Sequence, residues 1–277
     1  MNSSPARRRV CGFCGVFLNA KNRAKEHVLR RSWLDRLGHT KSKVSSGFMS
    51  GAVLLGERNQ AAEQVQAGEV CSACNNGWMN HLDLSVEDHV LKLAVDPAAE
   101  LVVGRLGARQ IARWILKTAI AFELTAEPSR RHIRTEIVRR VRRANWLPDG
   151  FAAFYCRSPL GQRGISVASF DAWPVECVPL VGGLPQSRRL KFAVQYDNVI
   201  FGCCMFQGAG RPTFVGVETV HIPLTASGAD FIVDGSLEGA SAFLGRRLTD
   251  DPADDTAVNR ILAGISVSVR GRHPASA

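Results

Sequence analysis

The sequence predicts an α+β protein. It divides into a metal-stapled N-terminal unit at residues 1–95, a basic helical segment at 96–148 and an antiparallel β-rich part at 149–277. Three observations predict this. Two C-x-x-C pairs, Cys11 with Cys14 and Cys71 with Cys74, lie in the first third of the chain. Apolar residues recur at helical spacing between Trp78 and Val141. From Phe151 onward, short runs of apolar, β-branched and aromatic residues are bounded by turn residues.

Taken in order, residues 1–8 read as a disordered basic tail. Val10 to Phe17 reads as a cysteine knuckle followed by a strand. Lys25 to Val28 is expected to end the second arm of a hairpin, and Arg31 to Leu37 to form a short helix. Residues 38–56, rich in Gly, Ser and Lys, read as loop, and a helix is expected from Glu57 to Gln66. After the second knuckle, Trp78, Met79, Leu82, Val86, Val90, Leu91 and Leu93 mark a helix. It should begin near Asn75 and stop before Asp96-Pro97, because proline disfavours helix at the preceding residue. Ile111, Ile115, Thr118, Ala119 and Phe122 form the stripe of a helix over 109–124, which Pro128-Ser129 breaks. Ile133, Ile137 and Val141 mark another whose remaining faces carry arginine. Strands are expected over 151–156, 165–175, 190–196, 199–206 and 214–222, with Asp197-Asn198 as a tight hairpin turn. Pro223 should end that run, Leu237 to Leu248 reads as a last helix, and the tail from Ala253 is polar. No internal repeat is visible.

Composition narrows the partner. The 277 residues carry a net charge of +10, with a pI near 9.6. The surplus is concentrated: residues 1–80 hold 12 Lys+Arg against 5 Asp+Glu, and residues 130–143 hold seven arginines against one glutamate. Clustered positive charge points to nucleic acid; the plainer reading of 130–143 is a solvated helix face. Eight cysteines in a chain this long do not make a disulfide scaffold. Cys156, Cys177, Cys203 and Cys204, set among apolar residues, read as small buried side chains. Arg7-Arg8-Arg9 followed by Val10 to Leu18 loosely mimics a signal peptide. Two cysteines and two glycines interrupt that stretch, however, and no cleavage site follows. No apolar run approaches the ~18–20 residues needed to cross a bilayer, so a cytoplasmic location and no membrane partner are expected.

The cysteines carry the chemistry. A C-x-x-C turn delivers two thiolates to one ion, and two such pairs complete a tetrahedral zinc site at Cys11, Cys14, Cys71 and Cys74. The gap between the pairs is long for a simple zinc ribbon, so it must hold structure of its own. Lys25-Glu26-His27-Val28 falls within it, and Asn75-Asn76-Gly77-Trp78-Met79 follows the second pair.

These stretches resemble the zinc-stapled HNH (His-Me finger) endonucleases, in a bacterial and phage subfamily. Arg113-Trp114-Ile115-Leu116-Lys117-Thr118-Ala119 is similar to a helix of that subfamily. The resemblance covers residues 9–95, extends weakly over 96–125, and hardly reaches the rest. It implies a ββα-metal core, with His27 as general base and Glu26 and Asn75 holding a catalytic Mg²⁺ or Mn²⁺. Asn76, Asn80 and His81 are alternative ligands, and Asn59 is the candidate for the middle asparagine. Arg23, Arg30 and Arg31, with Arg139, Arg140, Arg142 and Arg143 of the basic segment, would grip the backbone of double-stranded DNA. The zinc would hold the fold and do no chemistry. Leu29 stands where family members often carry proline. Taken singly, Asn75 is also a natural N-cap and Glu26-His27 an ordinary surface dipeptide. The rival function is a non-catalytic zinc module that binds nucleic acid or regulates. A nuclease effector in phage defence or a mobile element, with a C-terminal part that senses a signal, binds a regulatory partner or forms a homo-oligomer, is compatible with the first reading.

Overall fold

In a computed structural model of the protein, the described residues are 9–50, 53–128, 131–144, 146–158, 163–170, 188–208, 211–217, 222–227, 229–234, 262 and 265–270. The expected tail at 1–8, the expected helix at 237–248, Cys177 and the residues beyond 270 lie outside them.

The N-terminal part is built on two antiparallel strands, β1 (Arg23–His27) and β4 (Gln66–Cys71). Between them come α1 (Arg31–Leu37), β2 (Lys43–Ser50) and β3 (Val53–Ala61). After β4 the chain enters one helical turn, α2 (Ser72–Cys74), then a π turn at Asn75–Met79, then α3 (Asn80–Val95). α4 (Arg105–Glu123) and the short α5 (Thr135–Arg140) complete the helices.

Several expectations are corrected here. Val10 and Phe17 form only an isolated bridge within the first knuckle. The partner of β1 is therefore the strand leading into the second knuckle, not the strand after the first. The stretch expected as loop and then helix over 38–66 is instead the β2–β3 hairpin with a 3-10 turn at Ala62–Gln64. Side-chain periodicity there is weak, and pairing decides the conformation. The second knuckle's helix starts three residues earlier than expected. Cys71 is its N-cap, its sulfur accepting from the Cys74 amide, so Asn75 does not cap it.

A seven-stranded mixed sheet runs β10-β5-β8-β7-β6-β2-β3. Its members are β5 (Phe151–Arg157), β6 (Ile165–Phe170), β7 (Arg188–Tyr196), β8 (Val199–Gln207) and β10 (Ile222–Ser227), together with the β2–β3 hairpin. Most pairings are antiparallel, as expected, but β2 and β6 run parallel. The expected strand over 214–222 is two elements: β9 (Arg211–Val217) belongs to a second, three-stranded sheet with β11 (Asp230–Asp234) and β12 (Ser266–Arg270). Pro223 does not end the run; it lies within β10, where the register shifts, the kind of place in a sheet that proline tolerates.

The alternation along each strand sorts side chains to two faces. Phe151, Ala153, Phe192, Val194, Phe201 and Cys203 join the core shared with α3 and α4. Ala152, Phe154, Cys156, Ile200 and Cys204 join a second core with Phe214, Leu262 and Ile265. β8 is buried at every position, as expected for a strand covered on both faces. Gly202 is required there, because the ring of Phe154 on β5 occupies the place of a Cβ. The prediction that Cys156, Cys203 and Cys204 are buried side chains holds, and burial raises the pKa of all three thiols. Among the described residues no helix is long and apolar enough to cross a membrane.

Candidate functional site

The four cysteines come together. Their sulfurs all lie within 4.8 Å of one another, and Cys14 Sγ is 3.6 Å from Cys71 Sγ. A tetrahedron with ~2.3 Å metal–sulfur bonds has sulfur–sulfur edges of about 3.8 Å, so the cluster is already sized to hold a metal ion. Gly15 lets the first knuckle turn, at φ 79°. The Cys71 amide donates to Cys11 Sγ and the Cys74 amide to Cys71 Sγ, each at 3.4 Å. The neighbouring Cys74 thiol lowers the pKa of Cys11 to about 4, while Cys11 in turn raises that of Cys74. Among the described residues this is the one such cluster of His, Cys, Asp or Glu donors. Phe13 of the first knuckle meets Trp78 edge-on at 5.5 Å, and the Arg113 guanidinium covers the same indole at 5.5 Å.

Beside the cluster lies a cleft of about 220 Å³ lined by Glu26, His27, Arg30, Arg31, Ser32, Asn75, Asn76, Asn80 and Asp83. The sequence candidates Glu26, His27 and Asn75 therefore share one site, although they come from β1 and from the turn after the second knuckle. Asn76 and Asn80 line it as well. His81, the remaining alternative, is exposed and is not among the lining residues. Asn59 sits on β3, paired with Ser45 of β2.

Successive strand residues face opposite ways. Glu26 turns into the floor and is buried; His27 stays half-buried at the end of the strand, across the ladder from Gln66. The Gln66 side-chain nitrogen lies 2.9 Å from His27 Nε2 and 2.9 Å from the Glu63 carbonyl oxygen. Donation to both puts the ring proton on Nδ1. Burial lowers the pKa of His27, with Arg31 and Lys25 adding to the effect and Glu63 opposing it, so the neutral ring is favoured.

The floor holds two groups that the sequence did not single out as site residues. Lys117 of α4, 2 % exposed, places Nζ 3.0 Å from Glu26 Oε1 and 2.7 Å from Asp83 Oδ1. Arg30 Nη1 donates to Asp83 Oδ2 at 3.1 Å. Burial works against the charged amine of Lys117, but Asp83 and Glu26 outweigh it and hold its pKa above the usual lysine value. Burial raises the carboxyl pKa of Glu26, with Lys117 pulling against it. Asn75 Oδ1 is buried without a hydrogen-bond partner.

The arginines divide into two groups. Arg30 and Arg31 line the cleft; Arg31 is exposed and lies 3.8 Å from Glu63. Arg23 lies outside it, its Nε donating to the Gly68 carbonyl at 3.0 Å. Arg139, Arg140, Arg142 and Arg143 are exposed but do not line the cleft. Only Arg139 and Arg140 are helical, in a helix of six residues, while Arg142 and Arg143 lie in the turn that follows. The Arg139 guanidinium lies over Gly15 of the first knuckle, and Arg140 stacks on Trp146 at 4.7 Å. The chain matches no family model, no curated protein and no solved structure.

Proposed function

We propose that the protein is a metal-dependent endonuclease of the HNH type, hydrolysing phosphodiester bonds in double-stranded DNA. One observation carries the reading: Glu26, His27 and Asn75, named from separate stretches of sequence, line a single cleft next to the four-cysteine cluster. Two antiparallel strands, β1 and β4, with α3 following them along the chain, support a ββα reading in which residues 28–65 are inserted between the strands. The cysteines hold structural zinc, which staples β4 and the helix to the first knuckle.

The residues present fit a hard cation such as Mg²⁺ or Mn²⁺. Asn75 offers a buried oxygen with no partner, and Glu26 has a second carboxylate oxygen beyond the one paired to Lys117. When bound, such an ion supplies charge stabilisation at the phosphate and the departing oxygen. His27 takes the proton of the attacking water. Its Nε2 is engaged by Gln66 at rest, so the amide either yields that nitrogen to water or turns to present its oxygen and frees Nδ1. Arg30 and Arg31 bind the phosphate at the cleft. The arginines at 139, 140, 142 and 143 add backbone contacts without choosing sequence.

The test is plasmid cleavage with Mg²⁺, Mn²⁺ or EDTA, comparing wild type with His27→Ala. Metal-dependent cleavage lost in the variant is expected; equal cleavage by both sinks the reading. A second reading, a non-catalytic zinc module, is favoured by the Lys117 contact, which gives Glu26 a structural partner. It predicts DNA binding with no cleavage under any metal.

A further inference from the structure

We propose that Lys117 is a built-in counter-ion that makes uptake of the divalent ion depend on the phosphate of the nucleic acid. The inference rests on the nuclease reading of the same cleft and goes beyond it to the order of assembly.

The charge inventory carries the proposal. The carboxylates of the cleft are Glu26 and Asp83; against them stand Arg30 and Arg31 in the wall and Lys117 beneath. Three cations therefore face two anions. Widening the circle does not change the sign. Glu63 lies by Arg31, and Glu87 lies by Arg30 and is bonded to Arg36 at 2.6 Å, while Lys25 precedes Glu26 on β1. His27 adds no negative charge, and a proton on Glu26 would make the balance more positive still.

A divalent cation is strongly hydrated and leaves water for sites rich in anionic oxygen. This cleft offers it no net negative charge, and its nearest carboxylate oxygens are already held by an ammonium in a buried setting, where charges interact strongly. A phosphodiester changes the balance, because each phosphate brings one negative charge and a hard oxygen to the wall made by Arg30 and Arg31. Ion and nucleic acid then each raise the other's affinity by the same factor, as linkage requires. Lys117 sets the size of that factor. Its charge is fixed in the core on α4, while Glu26 comes from a strand 91 residues earlier, so only the folded chain brings the counter-ion to the cleft. It is a positioning residue and touches no substrate atom.

The experiment uses the full chain in a His27→Ala background, so that DNA stays intact. Free Mn²⁺ is followed by its electron paramagnetic resonance signal, with and without a short DNA duplex, and Glu26→Gln locates the binding at the cleft. The duplex should tighten Mn²⁺ binding by roughly 5–150-fold, the usual span of coupling between sites. Lys117→Met should tighten Mn²⁺ binding without DNA and shrink the effect of the duplex. Arg31→Ala, at an exposed position and safe for folding, removes one cation from the same wall and should also tighten Mn²⁺ binding without DNA; Lys117→Gln, which removes the charge but keeps a hydrogen-bonding side chain at the buried position, decides the matter if Lys117→Met does not fold. Equal Mn²⁺ affinity with and without duplex, a coupling that survives loss of the Lys117 charge, or no uptake of Mn²⁺ in the presence of duplex overturns the proposal. Coupled uptake by a wild type that cuts no DNA would keep this inference and sink the nuclease reading; cleavage without coupling would do the reverse.

Discussion

His27 shows how far single residues could be read. Its type and its neighbours, Glu26 before it and cysteines on either side, were visible in the sequence; its controls were not. Gln66 meets it only because β1 and β4 pair in the observed register, 39 residues apart. Lys117 lay within the stretch 113–119 with no role of its own, since the partners that make its burial tolerable come from β1 and α3. As the proposed general base, His27 should contribute about 10²–10⁴-fold in rate. His27→Ala should therefore lose cleavage while keeping zinc and DNA affinity. The base must be neutral, and burial with two nearby cations holds its pKa below 6.5. Cleavage should accordingly fall only as pH drops below that value and stay level above it. A Gln66 amide donating to the ring favours the neutral form; Gln66→Ala removes that bond and admits water, both of which raise the pKa. Its acid limb should move to higher pH in a pH–rate profile, whereas a limb that stays in place would show that Gln66 does not tune the base.

At the scale of elements, the knuckles and the helices were legible because their signals are local: a two-residue gap between cysteines and a 3.6-residue period over 16 and 19 residues in α3 and α4. The hairpin β2–β3 was not. Its strands carry Ser, Gly, Asn and Gln where a half-buried strand usually shows alternation, and the hairpin is held in the sheet by β2 pairing with the distant β6. A metal held by the four cysteines would tie β4 to the first knuckle, and binding energy of this kind is folding energy. Cys74→Ser should therefore abolish zinc in metal analysis and unfold the segment carrying β1, β4 and α3, seen as lost helical signal by circular dichroism. The basic segment gives a different expectation. Four exposed arginines that touch phosphates contribute to the salt dependence, each contact adding about 0.9 to the slope of log affinity against log salt. Replacing Arg139, Arg140, Arg142 and Arg143 together with alanine should weaken binding to every sequence alike and flatten that slope. An unchanged slope would return them to the role of a solvated face.

Across the whole molecule, the residues expected as an N-terminal unit share one core with the rest. Trp33 of α1 packs against Trp114 of α4 at 5.5 Å and Tyr196 of β7 at 5.7 Å, and Trp114 meets Phe201 of β8 edge-on at 5.3 Å. His39 bonds to Asp197 at 2.8 Å, and Asn198 donates to the Ala94 carbonyl at 2.6 Å. β2 and β3 are strands of the large sheet. A fragment ending at residue 95 would thus leave Trp33 uncovered, β2 without β6, and the buried carboxylates Glu26 and Asp83 without Lys117. Each loss is large on the scale of a domain's 5–15 kcal/mol. Uncovering a buried tryptophan resembles the ~3–5 kcal/mol of a Trp→Ala change, and a buried ion pair stripped of one partner costs about 3–5 kcal/mol more. The fragment 1–95 with zinc supplied should accordingly lack cooperative thermal unfolding and bind no Mn²⁺ in the presence of DNA. A fragment extended through α4 would regain Lys117 and Trp114 but not the sheet, and should remain marginal. A stable, cooperatively melting 1–95 would show that the four-cysteine cluster with β1, β4 and α3 suffices by itself, and that the shared core is packing the site does not need.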